Sequence, residues 1–262
     1  MLVFYEIISA PVLFILEGAL LHLYRKLLMD EEGVQASPVS EGDCAVWKAR
    51  ATFYRAIIER YRDYLFEGEQ KTVPLLKSMI DPKDPAVQKL HEQIISSIKQ
   101  TKSSAAGDAI IESKALEYNY ETDFDEAARA AFDYVQSLGK THSELSVSFW
   151  LSYPQMVSLG IADAFDRALL LCSLLSSLGC KSALVSVLSL EDGSTHPVVI
   201  FESAGRDVLL DACNKSQKFG DDAGQSKAEL VAGFSTGDGK KAVRIAYEFN
   251  RDEYAEFEAD SS

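Results

Sequence analysis

The sequence predicts an α+β fold, and two observations carry that reading. Helical patterns occupy residues up to about 178, whereas short strand patterns joined by turn sequences occupy residues from about 182 to 250, so helices and strands are segregated along the chain instead of alternating. A composition that is 47% hydrophobic and 25% charged over 262 residues supplies enough apolar side chain for a packed core and excludes disorder of the whole chain.

The first element is an apolar stretch, residues 1–24, that carries Glu6, Glu17 and His22 and is followed by Arg25 and Lys26. It lacks the leading positive charge and the small-residue cleavage site of a secretory signal. On a helix Glu6 and Glu17 lie about 20° apart once whole turns are removed, so both fall on one narrow polar strip. Two readings stay open: a helix packed on this protein or a partner, and membrane contact or a span. In the second, Arg25 and Lys26 would hold the remaining chain in the cytoplasm. The chain is accordingly divided into an apolar N-terminal helix at 1–28, a polar Gly/Pro/Ser-containing linker at 29–43, a helical region at 44–120, an α+β domain at 121–250 and an acidic tail at 251–262.

Within the helical region, Trp47, Ala51, Tyr54, Ile58 and Tyr61 recur at helical spacing over residues 45–66. Asp84 followed by Pro85 marks an N-cap and first helical residue, predicting a helix to about Lys99. Residues 105–120 are weakly patterned. In the α+β domain, the run Phe124 to Leu138 reads as a helix closed by Gly139, and Asp163 to Leu178 as a longer, more apolar helix closed by Gly179. The runs 182–190, 196–202 and 207–212 read as strands separated by the turn compositions 191–194 and 203–206, with a further strand at 242–250. From Glu248 to Ser262 six acidic residues face one Arg, which predicts a solvated, frayed end.

Charge and cysteine usage narrow the function. With 26 Lys+Arg against 40 Asp+Glu the net charge is −14, which opposes binding to a phosphate backbone, so no nucleic-acid partner is expected. Cys44, Cys172, Cys180 and Cys213 form no CxxC pair. Neither a zinc site nor a disulfide framework is implied, no metal or other cofactor is expected, and reduced thiols in the cytoplasm are the default. There is no glycine-rich phosphate loop.

The chemistry-bearing order lies in residues 150–215: Trp150, Tyr153-Pro154, a loop over residues 156–163, the helix from Ala164, a strand, His196 opening the next strand, and Asp211 ending the third. This order resembles the transglutaminase-like branch of the papain-like cysteine hydrolases, in which a loop of the form G-x-G-D-C-x-D-K-A leads into a central helix packed on an antiparallel sheet. Here the loop reads Gly160-Ile161-Ala162-Asp163-Ala164-Phe165-Asp166-Arg167-Ala168 and fits that frame without a gap. The resemblance covers about a third of the chain and does not reach residues 1–120.

The resemblance implies a Cys-His-Asp site. A thiol in the first turn of a helix has its thiolate favoured by free N–H groups, an imidazole takes and returns the proton, and a carboxylate orients the imidazole. His196 and Asp211 fill the last two roles, but Ala164 stands where the family has its nucleophile, and a methyl group cannot attack a carbonyl. Cys172 lies about 12 Å further along the helix and reads as core; Cys180 is at the helix's far end, and Ser158 precedes it. Cys213, two residues beyond Asp211, is the least implausible substitute thiol. Asp163 and Asp166 read as capping residues at the helix start, and Trp150 and Tyr153 either wall the cleft or pack on the helix. Pro197 and Val198 after His196, together with Phe165, make the expected cleft more apolar than the family's.

Three functions follow. The first is a non-catalytic transglutaminase-like domain that binds a peptide or protein. The second is a cysteine hydrolase or acyltransferase whose nucleophile has been replaced, Cys→Ala, at position 164. The third is a membrane-associated scaffold in which residues 1–120 carry the function.

Overall fold

A computed structural model describes residues 72–105, 117–140, 151–214, 217, 219 and 223–258. The expectations for the apolar N-terminal segment, the linker, the helix at 45–66 and Trp150 lie outside the described residues. In order, the elements are α1 (Val73–Ser78), α2 (Pro85–Ala105), α3 (Tyr120–Ser137), β1 (Gly139–Lys140), α4 (Tyr153–Leu159), β2 (Ile161–Ala162), α5 (Ala164–Ser177), β3 (Leu184–Leu190), β4 (Thr195–Ser203), β5 (Arg206–Leu210), β6 (Ala223–Gln225), α6 (Lys227–Gly233), β7 (Ala242–Phe249) and β8 (Tyr254–Glu256). Among the described residues no helix is long and apolar enough to cross a membrane.

The strands of the main sheet follow the long helices, as the α+β reading expects, with the two-residue β1 and β2 set among the helices and α6 set between β6 and β7. Six strands form one antiparallel sheet in the order β6-β5-β4-β3-β7-β8, and β1 pairs with β2 in a short parallel ladder beside the helices. The sheet is covered on both sides, which is why its central strands are almost continuously apolar. Val185, Val187, Val199, Phe201, Leu210 and Phe249 point into the main core with α2, α3 and α5. Alternate residues Leu188, Val198, Ile200 and Leu209 point the other way, into a smaller cluster with Leu230, Val231 and Phe234 from α6 and its C-cap. Helix α5, whose Leu170, Leu171, Leu174 and Leu175 are fully buried, is the central helix of the main core.

Local sequence explains the helix ends. Asp84 accepts the Ala86 N–H at 2.8 Å and starts α2, which continues past the expected Lys99 to Ala105. Asn119 caps α3 by accepting the Glu121 N–H at 3.0 Å, so that helix begins four residues before Phe124. Gly179, at φ 106°, closes α5 in the left-handed conformation, and the Cys180 N–H returns to the Leu175 carbonyl at 3.0 Å.

Four expectations are corrected. Gly139 does not close α3 in a left-handed turn; it is the first residue of β1, hydrogen-bonded to the Gly160 carbonyl at 2.7 Å, and a Cβ there would sit 3.1 Å from Ile161. The first half of the loop expected at 156–163 belongs to helix α4, started by the capping pair Ser152 and Gln155 and ended by Gly160 at φ 64°. The acidic end is not all frayed, because Tyr254–Glu256 pair with β7. Residues 72–105 share their core with α3 and α5, so the boundary drawn at 120/121 marks no break in packing. Helix α6 has no counterpart among the expected elements, although Ser226 and Glu229 spell its capping box.

Candidate functional site

The candidate residues lie in two places: Ala164, Asp163 and Asp166 at the head of α5, and His196 and Asp211 at the start of β4 and the end of β5, on the sheet face that carries the α6 cluster. Asp163, the N-cap of α5, accepts the Asp166 N–H at 2.8 Å, which places Ala164 at the first helical position. A sulfur at that position would face free N–H groups at the positive end of a 14-residue helix. The Ala164 methyl offers no chemistry.

His196 is the second residue of β4 and is paired across the ladder with Leu188. Asp211 follows the last residue of β5. Continuing the Val199–Leu210 register sets Asp211 opposite Val198, one diagonal step from His196 on the same face. The structure brings the two together: His196 Nε2 lies 3.0 Å from Asp211 Oδ2, with side-chain exposures of 16% and 2%. The approach is off the in-line direction of a hydrogen bond, and neither atom has another hydrogen-bond partner among the described residues. Phe234 stacks over the imidazole at 5.7 Å between ring centres, interplanar angle 30°. With Nε2 turned to the carboxylate, a neutral ring carries its proton there and leaves Nδ1 as the acceptor, a proton placement assigned from this geometry.

The turn after β5 is held from several sides. Asp211 Oδ1 accepts the Cys213 N–H at 2.8 Å. The edge strand β6 pairs only with Asp207 and Val208, and the side chain of Gln217 replaces it further along: its amide donates to the Leu209 carbonyl at 2.9 Å and its oxygen accepts the Asp211 N–H at 2.7 Å. Gln136, on α3, donates to the carbonyls of Asn214 and Gln217 at 2.7 and 3.1 Å.

Arg167 completes this support. It is fully buried, and among the described residues it pairs with no carboxylate; its guanidinium donates instead to backbone carbonyls. These are Val135, Gln136 and Leu138 at the end of α3, Gly139 in β1, Ala162 in β2, and Ala212, next to Asp211, at 3.1 Å. A cation at the C-terminus of α3 meets the negative end of that helix and its free carbonyls, which offsets the cost of burying the charge. Arg167, Gln136 and Gln217 are not among the residues the sequence pattern singles out. Only Arg167 has a signal there: a strongly polar residue one turn into an otherwise apolar helix.

The remaining predicted residues act as supports. Asp166 is 1% exposed; its Oδ1 accepts the Leu151 N–H at 3.3 Å, and its Oδ2 has no hydrogen-bond partner. Burial, with the neighbouring Asp163 carboxylate, pushes the Asp166 carboxyl up to about 7. Tyr153 packs on the central helix instead of walling an open cleft: its hydroxyl contacts the Met79 carbonyl and lies 2.6 Å from Ser173 Oγ, and burial raises its pKa. Cys172 is enclosed beside the Ala183 carbonyl, where burial pushes its thiol up to about 12, and burial also raises Cys180. Cys213 is half-buried in the turn next to Asp211. Among the described residues no group of three or more His, Cys, Asp or Glu side chains is placed to hold a metal ion. An open cavity of about 540 Å³ between α1 and the β7–β8 edge, with Lys77, Glu248, Asp252 and Tyr254 in its wall, contains none of the predicted site residues.

No protein-family model matches the chain, and no curated protein matches it. Among solved structures it is similar to LapG of Legionella pneumophila, with 15% identity and a TM-score of 0.39 over 65% of this chain and 85% of that one. The calcium-bound form of LapG gives 13% and 0.36, over 64% of this chain and 92% of that one. A candidate cysteine protease from Cytophaga hutchinsonii gives 13% and 0.27, over 64% and 53%. At TM-scores below 0.5 none of these similarities carries a residue role, an activity or a ligand over to this chain.

Proposed function

We propose that residues from about 121 onward form a transglutaminase-like domain that has lost acyl-transfer chemistry and works in the cytoplasm by binding a peptide or protein segment. The observation that supports this reading is the His196–Asp211 pair, its carboxylate buried and its imidazole partly so, in a chain whose central helix opens on Ala164. A base and its orienting carboxylate are retained without a nucleophile. Cys172 and Cys180 do not replace it, because they are enclosed and burial raises their pKa values.

The test is turnover of fluorogenic peptide amides and esters, together with the reactivity of an Ala164→Cys variant. The wild-type protein is expected to give no turnover, and the introduced thiol is expected to react with iodoacetamide well below the pH at which an ordinary thiol, pKa about 8.5, becomes reactive. Wild-type turnover that disappears in His196→Ala would overturn the loss of catalysis. A sluggish thiol in Ala164→Cys would remove position 164 from the site.

A further inference from the structure

We propose that Arg167 and Gln217 are positioning residues that clamp the turn after β5 from two sides and thereby hold the Asp211 carboxylate against His196 Nε2. The inference deepens the reading above and rests on His196 and Asp211 being the site. The carboxylate leaves the sheet just where the edge ladder stops: β6 covers Asp207 and Val208, while among the described residues the Gln217 amide is the outer partner of Leu209 and Asp211. On the helix side, Arg167 reaches the Ala212 carbonyl from the first turns of α5 and, with the same guanidinium, the end of α3. One residue thus ties the nucleophile-position helix to the turn that carries the orienting acid.

Without the clamp the turn has local reasons to move. Its own internal hydrogen bonds, from Cys213 N–H to Asp211 Oδ1 at 2.8 Å and from Asn214 N–H to the Asp211 carbonyl at 3.1 Å, fix its shape but not its place relative to β4. Because the His196–Asp211 approach is off-line, the turn's position, and not a directional bond between the two side chains, sets the 3.0 Å separation. A clamp from outside the pair therefore decides whether Nε2 carries a shielded proton.

The experiment follows the His196 ring Nε2–H by proton–nitrogen NMR on the full chain and measures its exchange with water. In the wild type the proton is expected to exchange slowly, shielded by Phe234 and the carboxylate. In Gln217→Ala and Arg167→Met exchange is expected to rise about tenfold, the factor that loss of one hydrogen bond to a charged or buried group produces. Arg167→Lys, which keeps the charge and some of the donors, is expected to fall between them and the wild type. If Arg167→Met does not fold, Gln217→Ala, which alters no residue of the main core, decides the matter. Slow exchange unchanged in folded Gln217→Ala and Arg167→Met would overturn the clamp while leaving the pair standing. Fast exchange already present in the wild type would overturn the pair itself.

Discussion

Replacing Asp166 by Asn gives a prediction whose size follows from the structure. The carboxyl is buried at the head of α5, has one N–H donor at 3.3 Å, and has an oxygen with no hydrogen-bond partner. Burial and the adjacent Asp163 raise it from 3.8 to about 7. Between those values the folded chain holds a proton that the unfolded chain has released, so this group's contribution to stability is greatest below about pH 4 and is lost as the pH rises toward 7. A separation of about three units corresponds to at most about 4 kcal/mol of stability lost at pH 8, and partial solvation of the pair with Asp163 lowers that bound. Asn keeps an acceptor for the Leu151 N–H and does not ionise. Urea unfolding of the wild type and Asp166→Asn at pH 4.5, 6, 7 and 8 is expected to give a difference that grows in favour of Asn as the pH rises and levels off above about 7. A difference that stays flat across this range would refute the argument, since it would mean that the carboxyl ionises as readily in the folded protein as in the unfolded chain.

The other predictions follow from the same packing. Gly179→Ala forces a Cβ within 3.0 Å of the Tyr120 ring at φ 106° and is expected to cost about 1–3 kcal/mol in chemical denaturation, with no loss contradicting the left-handed closure of α5. Cys172 and Cys180 are expected to resist a thiol reagent at pH 8 in the native protein and to react on unfolding; rapid native labelling of Cys172 would contradict its enclosure. Tyr153→Phe removes a buried hydroxyl shared with Ser173 and the Met79 carbonyl and is expected to destabilise by about 1–2 kcal/mol, an unchanged midpoint showing that those partners find other donors.

The legible parts of this protein are those that depend on near neighbours in sequence. The caps Asp84 and Asp163 and the left-handed Gly179 are local chemistry, and the frame from Gly160 to Ala168 is contiguous, so residue order alone places α5 with Ala164 in its first turn. The succession of strands is legible as well, because turn compositions at 191–194 and 203–206 interrupt apolar runs. The capping boxes of α4 and α6 are equally local but are masked, one because Pro154 and Gly160 give its segment the look of a loop, the other because α6 has only seven residues. Gly139 misleads for a different reason: a glycine after a helix signals a left-handed close, whereas here it serves the tight approach of β1 to Ile161.

By itself, the sequence determined the class of fold and the central helix, and it raised the expectation of a site drawing on His196, Asp211 and a helix head without a thiol. Only the tertiary structure decided that His196 and Asp211 meet, that the carboxyl of Asp166 is shut away from water, and that Arg167 and Gln217 hold the turn between them. The physical reason is range. Caps and turns are settled over three or four residues, but the partners of a buried guanidinium are carbonyls spread from Val135 to Ala212, which no spacing in the sequence links until the chain has folded.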